Sequence, residues 1–350
     1  MVQWGMRWAA VAAAMTSVAL STSVAHAGAW TPVDTGLVDS SRPGVSVRKG
    51  TTSIVWTTPD GELASRTVTA KGRLGPTRVQ QRGWSFLTPD PVRVGSDWIA
   101  AGTRALPGSP LYDHAGGLDA LVEGARKDLA ALQEAGFDAV MFGNENDRPY
   151  EFSVDTASTA TMAYVIGRLR SEIRIPFGVN VLWDPESSIA LAAATGAVFV
   201  REIFTGTYAS DMGPWTPNAG RAMRYRDRLG RQDLALLYNI SAEFAHSLDQ
   251  RSVADRARSA VFSSIPDAVL VSGAITGEAA NMGDLEATKK ALPDTYVFAN
   301  TGVKHATVRD TLTIADGVIV GSSIKIDGHT WNAVDPERAK EFMRLVKMDR

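Results

Sequence analysis

From residue 97 onward, short apolar runs alternate with stretches whose apolar residues recur at helical spacing. The runs have the length and content of buried strands, whereas the stretches between them place apolar residues on one helix face. The pattern predicts eight strands, which begin near Trp98, Ala139, Phe177, Val198, Leu234, Ala268, Tyr296 and Gly317. It also predicts helices over 118–134, 156–173, 187–194, 218–229, 253–263 and 284–292, a short one after His305, and a last one over 336–346.

Eight strands that each precede a helix, within about 250 residues, predict an α/β fold of the (β/α)₈ TIM-barrel type. Asp335 followed by Pro336 is a good N-cap and first-turn pair for the last helix. An open doubly wound sheet is the alternative, but it usually carries a Gly-x-Gly-x-x-Gly turn after an early strand, and the sequence has none. We therefore predict a barrel domain over residues 97–350.

Polar residues follow the predicted strands, where the chemistry of a TIM barrel clusters. Glu202 and Glu243 follow neighbouring strands and are the candidate acid and base, because like-charge repulsion can keep one protonated while the other stays ionised. Asn180 and Asn239 are expected to orient a hydroxyl or a carbonyl group. In the alternative, Glu202 forms an ion pair with a basic residue such as Lys325 and only stabilises the barrel.

Such a pair suits isomerisation, aldol-type cleavage or glycosyl-bond hydrolysis. Asp211, in the loop after the fourth strand, is a further catalytic candidate. No cofactor is required by these residues. A divalent metal could be held by Asp184, Glu202 or Asp211, although their spacing is not diagnostic.

The last predicted strand leads directly into a glycine and two serines, Gly321, Ser322 and Ser323. Such a junction exposes backbone N–H groups that can surround a phosphate, and this is where many TIM-barrel enzymes hold one. Thr301 and Gly302 follow the seventh strand and complete the predicted phosphate site. The alternative is a tight turn that only closes the barrel.

The amino-acid composition restricts the classes of partner that this protein is expected to bind. The 350 residues are 45% hydrophobic and 21% charged with a formal net charge of −2, which argues against a nucleic-acid surface. There are no cysteines, so disulfides and thiolate chemistry are excluded. The expected partner is a small phosphorylated ligand, and the sequence leaves a homo-oligomer open.

The N-terminal quarter differs in charge, with 10 Lys/Arg and 5 Asp/Glu over residues 1–96. Residues 1–27 resemble a secretory signal, with an apolar run too short to span a membrane and a cleavage site near Ala27. Residues 28–96 form an extension of uncertain structure, with strands expected at 45–48 and 52–56 and a turn at 59–61. Either the protein is exported, or it is cytoplasmic and residues 1–96 lie upstream of the native start.

Several motifs in this order make the chain similar to the BtpA/SgcQ family over about residues 98–350. They are Leu106-Pro-Gly-Ser-Pro110, Pro176-Phe-Gly-Val-Asn-Val-Leu182, Phe204-Thr-Gly206, Val271-Ser-Gly273 with Thr276-Gly277, and Asp316-Gly-Val-Ile-Val-Gly-Ser-Ser-Ile-Lys325. The resemblance implies a TIM barrel with a phosphorylated or sugar-like ligand. Members look like enzymes, some encoded among carbohydrate-uptake genes, and one branch is linked to photosystem I biogenesis.

The chain departs from the family pattern at three strand ends. It has Ala101-Gly102 where Val-His is common, Gly143-Asn-Glu-Asn-Asp147 where Glu-Asn-Phe-Gly-Asp is usual, and Asn239-Ile-Ser-Ala-Glu243 in place of an Asp-Val-His-Val-Lys-like run. Two histidines and a lysine are therefore missing. Either this branch runs altered chemistry, or it is a degenerate barrel that serves as a binding or complex-assembly factor.

Overall fold

The computed structural model describes residues 44–48, 51–57, 62–69, 78–82, 97–101 and 104–348. The strands predicted at 45–48 and 52–56 are confirmed. They belong to an antiparallel sheet of Gly44–Arg48, Thr51–Thr57, Glu62–Thr69 and Arg78–Arg82, paired in that order. The predicted leader at 1–27 and the turn at 59–61 lie outside the described residues.

The TIM barrel is confirmed: in the described part of the chain, eight parallel strands close on themselves. They pair in chain order, and the last pairs with the first. All of them begin within one residue of the predicted positions. The strands are β1 (Asp97–Ala101), β2 (Val140–Gly143), β3 (Phe177–Asn180), β4 (Phe199–Glu202), β5 (Ala235–Asn239), β6 (Ala268–Val271), β7 (Tyr296–Asn300) and β8 (Gly317–Val320).

One helix follows each barrel strand. The helices are α1 (Gly117–Ala135), α2 (Thr156–Leu169), α3 (Pro185–Thr195), α4 (Ala219–Arg228), α5 (Val253–Ser264), α6 (Met282–Ala291), α7 (Val308–Leu312) and α8 (Pro336–Lys347). Polar caps fix several starts, and Asp335 accepts hydrogen bonds from the first turn of α8 as predicted. Of the helices in the described residues, none is long and apolar enough to cross a membrane.

Two apolar layers follow from the alternation of side chains along each strand. Met141, Phe199 and Phe298 belong to the cluster that fills the barrel, whereas Val200 packs in the large cluster between strands and helices. Successive strand residues point to opposite faces. On β4, Arg201 therefore shares the inward side with Phe199, and Glu202 leaves the strand on the other side.

A small sheet and an aromatic cluster lie beyond β3, β4 and β5. The sheet contains Tyr208–Ser210, Gly213–Trp215 and Ala245–Ser247, which the sequence did not predict. Trp183 and Trp215 pack edge to face with ring centroids 5.0 Å apart. The carboxyl ends of these strands thus have an apolar wall on one side.

Candidate functional site

A buried ion pair lies at the carboxyl ends of β4 and β5. Arg201 donates through Nη2 to Oε1 of Glu243 at 2.6 Å, and through Nη1 to Oδ1 of Asn180 at 3.0 Å. All three side chains are buried. Because Asn180 ends β3 and Glu243 follows β5, the guanidinium connects three neighbouring strands.

The hydrogen-bond network continues around the barrel to β7. Asn300 donates through Nδ2 to Glu243 at 3.0 Å and to the Ser272 hydroxyl at 2.6 Å. That hydroxyl donates in turn to Oδ1 of Asn239 at 3.0 Å. The network holds a layer of polar side chains in fixed positions above the apolar filling of the barrel.

Two buried donors in this layer have no hydrogen-bond partner within the described residues. They are Nε of Arg201 and Nδ2 of Asn239. Both residues line a cavity at the barrel mouth, together with Glu145 and Tyr150. An unpaired buried donor is costly, so these two atoms are well placed to receive acceptor atoms of a ligand.

Glu202 is a buried carboxyl group with only 1% of its surface exposed. It accepts a hydrogen bond from Nδ2 of Asn180 at 2.5 Å and one from the backbone N–H of Trp183 at 3.0 Å. Burial raises its pKa to about 7, and the positive charge of Arg201 offsets this only in part. Glu202 thus exchanges a proton near neutral pH.

The ion pair considered between Glu202 and Lys325 is not observed. The Lys325 ammonium instead donates to the carbonyl oxygen of Thr330 at 2.6 Å. Glu202 satisfies both carboxylate oxygens through Asn180 and Trp183. Glu202 therefore supports the loop after β3 through hydrogen bonds rather than through a lysine.

Glu145 is a functional candidate that the sequence reasoning did not select. It lies in the polar segment after β2 and lines the same cavity as Arg201 and Glu243. Burial raises its pKa, Arg201 lowers it, and the negative charge of Glu243 raises it further. The signal available in the sequence was the run of polar residues directly after β2.

The predicted phosphate residues after β7 form a tightly supported turn. The Thr301 hydroxyl accepts from the N–H of Gly273 and donates to the carbonyl oxygen of Glu278, each at 2.8 Å. Gly302 has φ +61°, and an added Cβ would meet the backbone of Glu278 and Ala279 at 2.1 Å. Glycine is thus required at 302 for both conformation and space.

The residues after β8 line a cavity. Within their 3₁₀ turn, the N–H of Ile324 donates to the carbonyl oxygen of Gly321 at 3.2 Å, and the N–H of Lys325 donates to that of Ser322 at 3.1 Å. The Ser323 hydroxyl shares a hydrogen bond with Nδ1 of His305 at 2.9 Å. This cavity is lined by Lys304, Arg338, residue 302 and residues 321–323. It is therefore rich in cations and N–H donors.

The polar layer and the predicted phosphate loops line one shared cavity. Its walls include Glu145, Arg201, Glu243 and Asn300 from the polar layer, Lys325, and Thr301, Gly302, Gly321 and Ser322 from the predicted phosphate loops. A small molecule held by a phosphate at the loops would therefore present its remaining atoms to the carboxylates. The predicted residues Glu243, Thr301, Gly302, Gly321 and Ser322 are brought together here, and Glu202 and Asn239 adjoin in the neighbouring cavity.

Residues 101–348 match the model of the BtpA family. The chain belongs to the BtpA family. It is 48% identical over 243 residues to the sgc region protein SgcQ of Escherichia coli, a match that covers 69% of this chain and 91% of SgcQ. It is 32% identical to the photosystem I biogenesis protein BtpA of Synechocystis, covering 66% of this chain and 81% of that protein.

Among solved structures, (S)-3-O-geranylgeranylglyceryl phosphate synthase from Thermoplasma acidophilum, in complex with sn-glycerol-1-phosphate, is similar to this BtpA-family chain with 14% identity and a TM-score of 0.48. The match covers 73% of this chain and 95% of the synthase.

Asp211 and Asp184 do not line the shared cavity of this BtpA-family barrel. Asp211 is exposed in the turn between the strands Tyr208–Ser210 and Gly213–Trp215. Asp184 caps α3 by accepting from the backbone and hydroxyl of Ser187. The described residues contain no group of three or more His, Asp or Glu placed to hold a metal ion. The structure therefore does not assemble Asp184, Glu202 and Asp211 around one cation.

Proposed function

We propose that this BtpA-family barrel is an enzyme that binds a phosphorylated sugar or nucleoside-like molecule and transfers protons to and from that molecule. The observation that carries the proposal is the shared cavity, where the loops after β7 and β8 meet the carboxylates of Glu145 and Glu243. A carboxyl group with a raised pKa in a concave site, such as Glu145, is a candidate for acid–base chemistry.

The phosphate is assigned to the loops at the end of the barrel. The N–H groups of Gly321, Ser322 and Ser323 would donate to its oxygens, and Lys304 and Arg338 would supply positive charge. Ser323 is held by His305 and by Arg338, whose Nε donates to the Ser323 carbonyl oxygen at 3.0 Å. The loop is thus organised before a ligand arrives, which limits the entropy lost on binding.

The proton transfer is assigned first to Glu145. Its carboxyl group has a raised pKa and lies in the cavity with Arg201, which would stabilise negative charge as it develops. Glu243 keeps Arg201 in position, and Glu202 is a second protonatable carboxyl beside the cavity. These groups suit isomerisation, aldol-type cleavage or glycosyl-bond hydrolysis.

A thermal-shift screen of matched compound pairs tests the proposal. Fructose 6-phosphate, ribose 5-phosphate and uridine monophosphate are each compared with fructose, ribose and uridine. We expect at least one phosphorylated compound to raise the Tm, since a ligand at 100 times its Kd stabilises the native state by about 2.7 kcal/mol, while its unphosphorylated partner does not. Equal shifts within every pair, or no shift with any compound, would contradict a phosphate site. Co-purification of a protein partner without turnover would favour the assembly-factor alternative.

A further inference from the structure

Lys325 is nearly fully buried, with 2% of its surface exposed, and its side chain lines the shared cavity. Buried lysines are rare and usually pair with a carboxylate. Lys325 donates to the carbonyl oxygen of Thr330 at 2.6 Å and forms no salt bridge with any described carboxylate. Among the described residues, the carboxylates of Glu145 and Asp128 act on the pKa of this amine without forming a salt bridge to it.

The backbone fixes where this amine lies. Lys325 follows the 3₁₀ turn Ser322–Ile324 and forms an isolated antiparallel bridge with Val334. Its own N–H donates to the carbonyl oxygen of Ser322 at 3.1 Å. The backbone of Lys325 thus belongs to the same loop as Gly321 and Ser322, and all three residues line the shared cavity.

The surroundings of Lys325 shift it toward the neutral amine relative to a solvated lysine. Burial lowers the pKa of Lys325, and the negative charges of Glu145 and Asp128 oppose the change only in part. A neutral amine has a free electron pair and is the nucleophilic form of lysine.

We propose that Lys325 is a catalytic nucleophile and that the substrate is a phosphorylated aldehyde or ketone. This inference rests on the proposed function and narrows its substrate class. The Nζ electron pair forms a bond to the carbonyl carbon while the carbonyl π bond breaks toward oxygen. The oxygen gains a proton and Nζ loses one, which gives a carbinolamine.

Loss of water completes the step. The carbinolamine hydroxyl takes a second proton, the carbon–oxygen bond breaks, and the nitrogen electron pair forms a protonated imine. Glu145, which lines the same cavity, is the carboxyl group placed to give and take these protons. A protonated imine accepts electrons from the neighbouring carbon, as isomerisation and aldol cleavage require. Glycosyl-bond hydrolysis needs no imine and is therefore disfavoured.

Reductive trapping of the full chain tests this step. The protein is incubated separately with glyceraldehyde 3-phosphate, dihydroxyacetone phosphate and ribose 5-phosphate in sodium cyanoborohydride, digested and analysed by mass spectrometry. We expect the Lys325 peptide to gain the mass of a probe less one oxygen atom. Because the site brings carbonyl and amine together, Lys325 should be labelled about tenfold or more above the exposed Lys127 and Lys340. Inorganic phosphate should suppress the labelling, and unphosphorylated dihydroxyacetone should give little.

Absence of an adduct at Lys325 with all three probes would overturn the inference, as would labelling no stronger than that of Lys127. Lys325→Arg keeps a hydrogen-bond donor but removes the nucleophile, so it should lose the adduct and retain the Tm increase with phosphorylated ligands. The two proposals fail in different ways. A thermal shift without an adduct would contradict only the role of Lys325 as nucleophile. The lack of a thermal shift with any phosphorylated compound would contradict the proposed function as well.

Discussion

The guanidinium of Arg201 lies 2.6 Å from the carboxylate of Glu243, and both side chains are buried at the mouth of the barrel. Asn180 accepts a further hydrogen bond from Arg201, and Asn300 donates one to Glu243. A buried ion pair contributes little net stability by itself, but removal of one partner leaves an uncompensated charge in a poorly solvated place. The pair therefore fixes the geometry of the cavity and makes both residues hard to replace.

We expect Arg201→Met to lower the free energy of unfolding by about 3–5 kcal/mol, because Glu243 loses its buried counter-charge. Urea unfolding followed by circular dichroism measures the change. Arg344→Met is the matched control, since Arg344 pairs with Glu341 on the exposed face of α8. The control should change stability little. Equal effects of the two substitutions would show that loss of the Arg201 partner does not leave a costly buried charge on Glu243.

Glu202 should make stability depend on pH. Its folded-state pKa of about 7 lies above the ordinary value of 4.5, so the folded protein holds a proton that the unfolded chain releases. The resulting stabilisation is full below pH 4.5 and is lost as pH rises through 7. Relative to Glu202→Gln, the wild type should lose about 2 kcal/mol between pH 5 and pH 8. A constant difference between the two proteins across this range would contradict the raised pKa.

Gly302→Ala should destabilise the protein by more than about 1 kcal/mol, because alanine is strained at φ +61° and its Cβ would meet backbone atoms at 2.1 Å. Differential scanning calorimetry without ligand measures the loss. An unchanged Tm would show that the turn after β7 does not have the tight geometry described.

Gly321→Ala is the companion substitution with the opposite expectation. An added Cβ at residue 321 meets nothing within 4 Å, and the residue lines the phosphate cavity. The unliganded Tm should stay close to that of the wild type, while the methyl group hinders a phosphate and reduces the ligand-induced shift. Full retention of that shift would place the phosphate elsewhere.

The barrel strands can be predicted from the sequence, but the positions of the polar side chains at their carboxyl ends are harder to predict. Buried parallel strands are continuous apolar runs, so their starts are found to within one residue. Arg201 and Glu202 are adjacent charges, and only the inward position of Phe199 shows that Arg201 is the one on the inward side of β4. The strands that place Asp211 in an exposed turn are three residues long, too short for a recognisable alternation.

Glu145→Gln should lower kcat about 10²–10⁴-fold on the substrate found by screening, because glutamine cannot transfer the proton. The ligand-induced Tm shift should remain, since the phosphate loops are untouched. Asp211→Asn is the control and should keep full turnover, because Asp211 is exposed away from the cavity. Normal turnover by Glu145→Gln would assign the proton transfer to another group.

The most direct measurement is a crystal structure of the full chain with a phosphorylated compound that raises its Tm. We expect the phosphate oxygens to lie about 2.7–3.2 Å from the backbone nitrogens of Gly321, Ser322 and Ser323, with the rest of the molecule directed toward Glu145 and Arg201. A phosphate bound outside the loops after β7 and β8, with the shared cavity left to solvent, would contradict the proposed site.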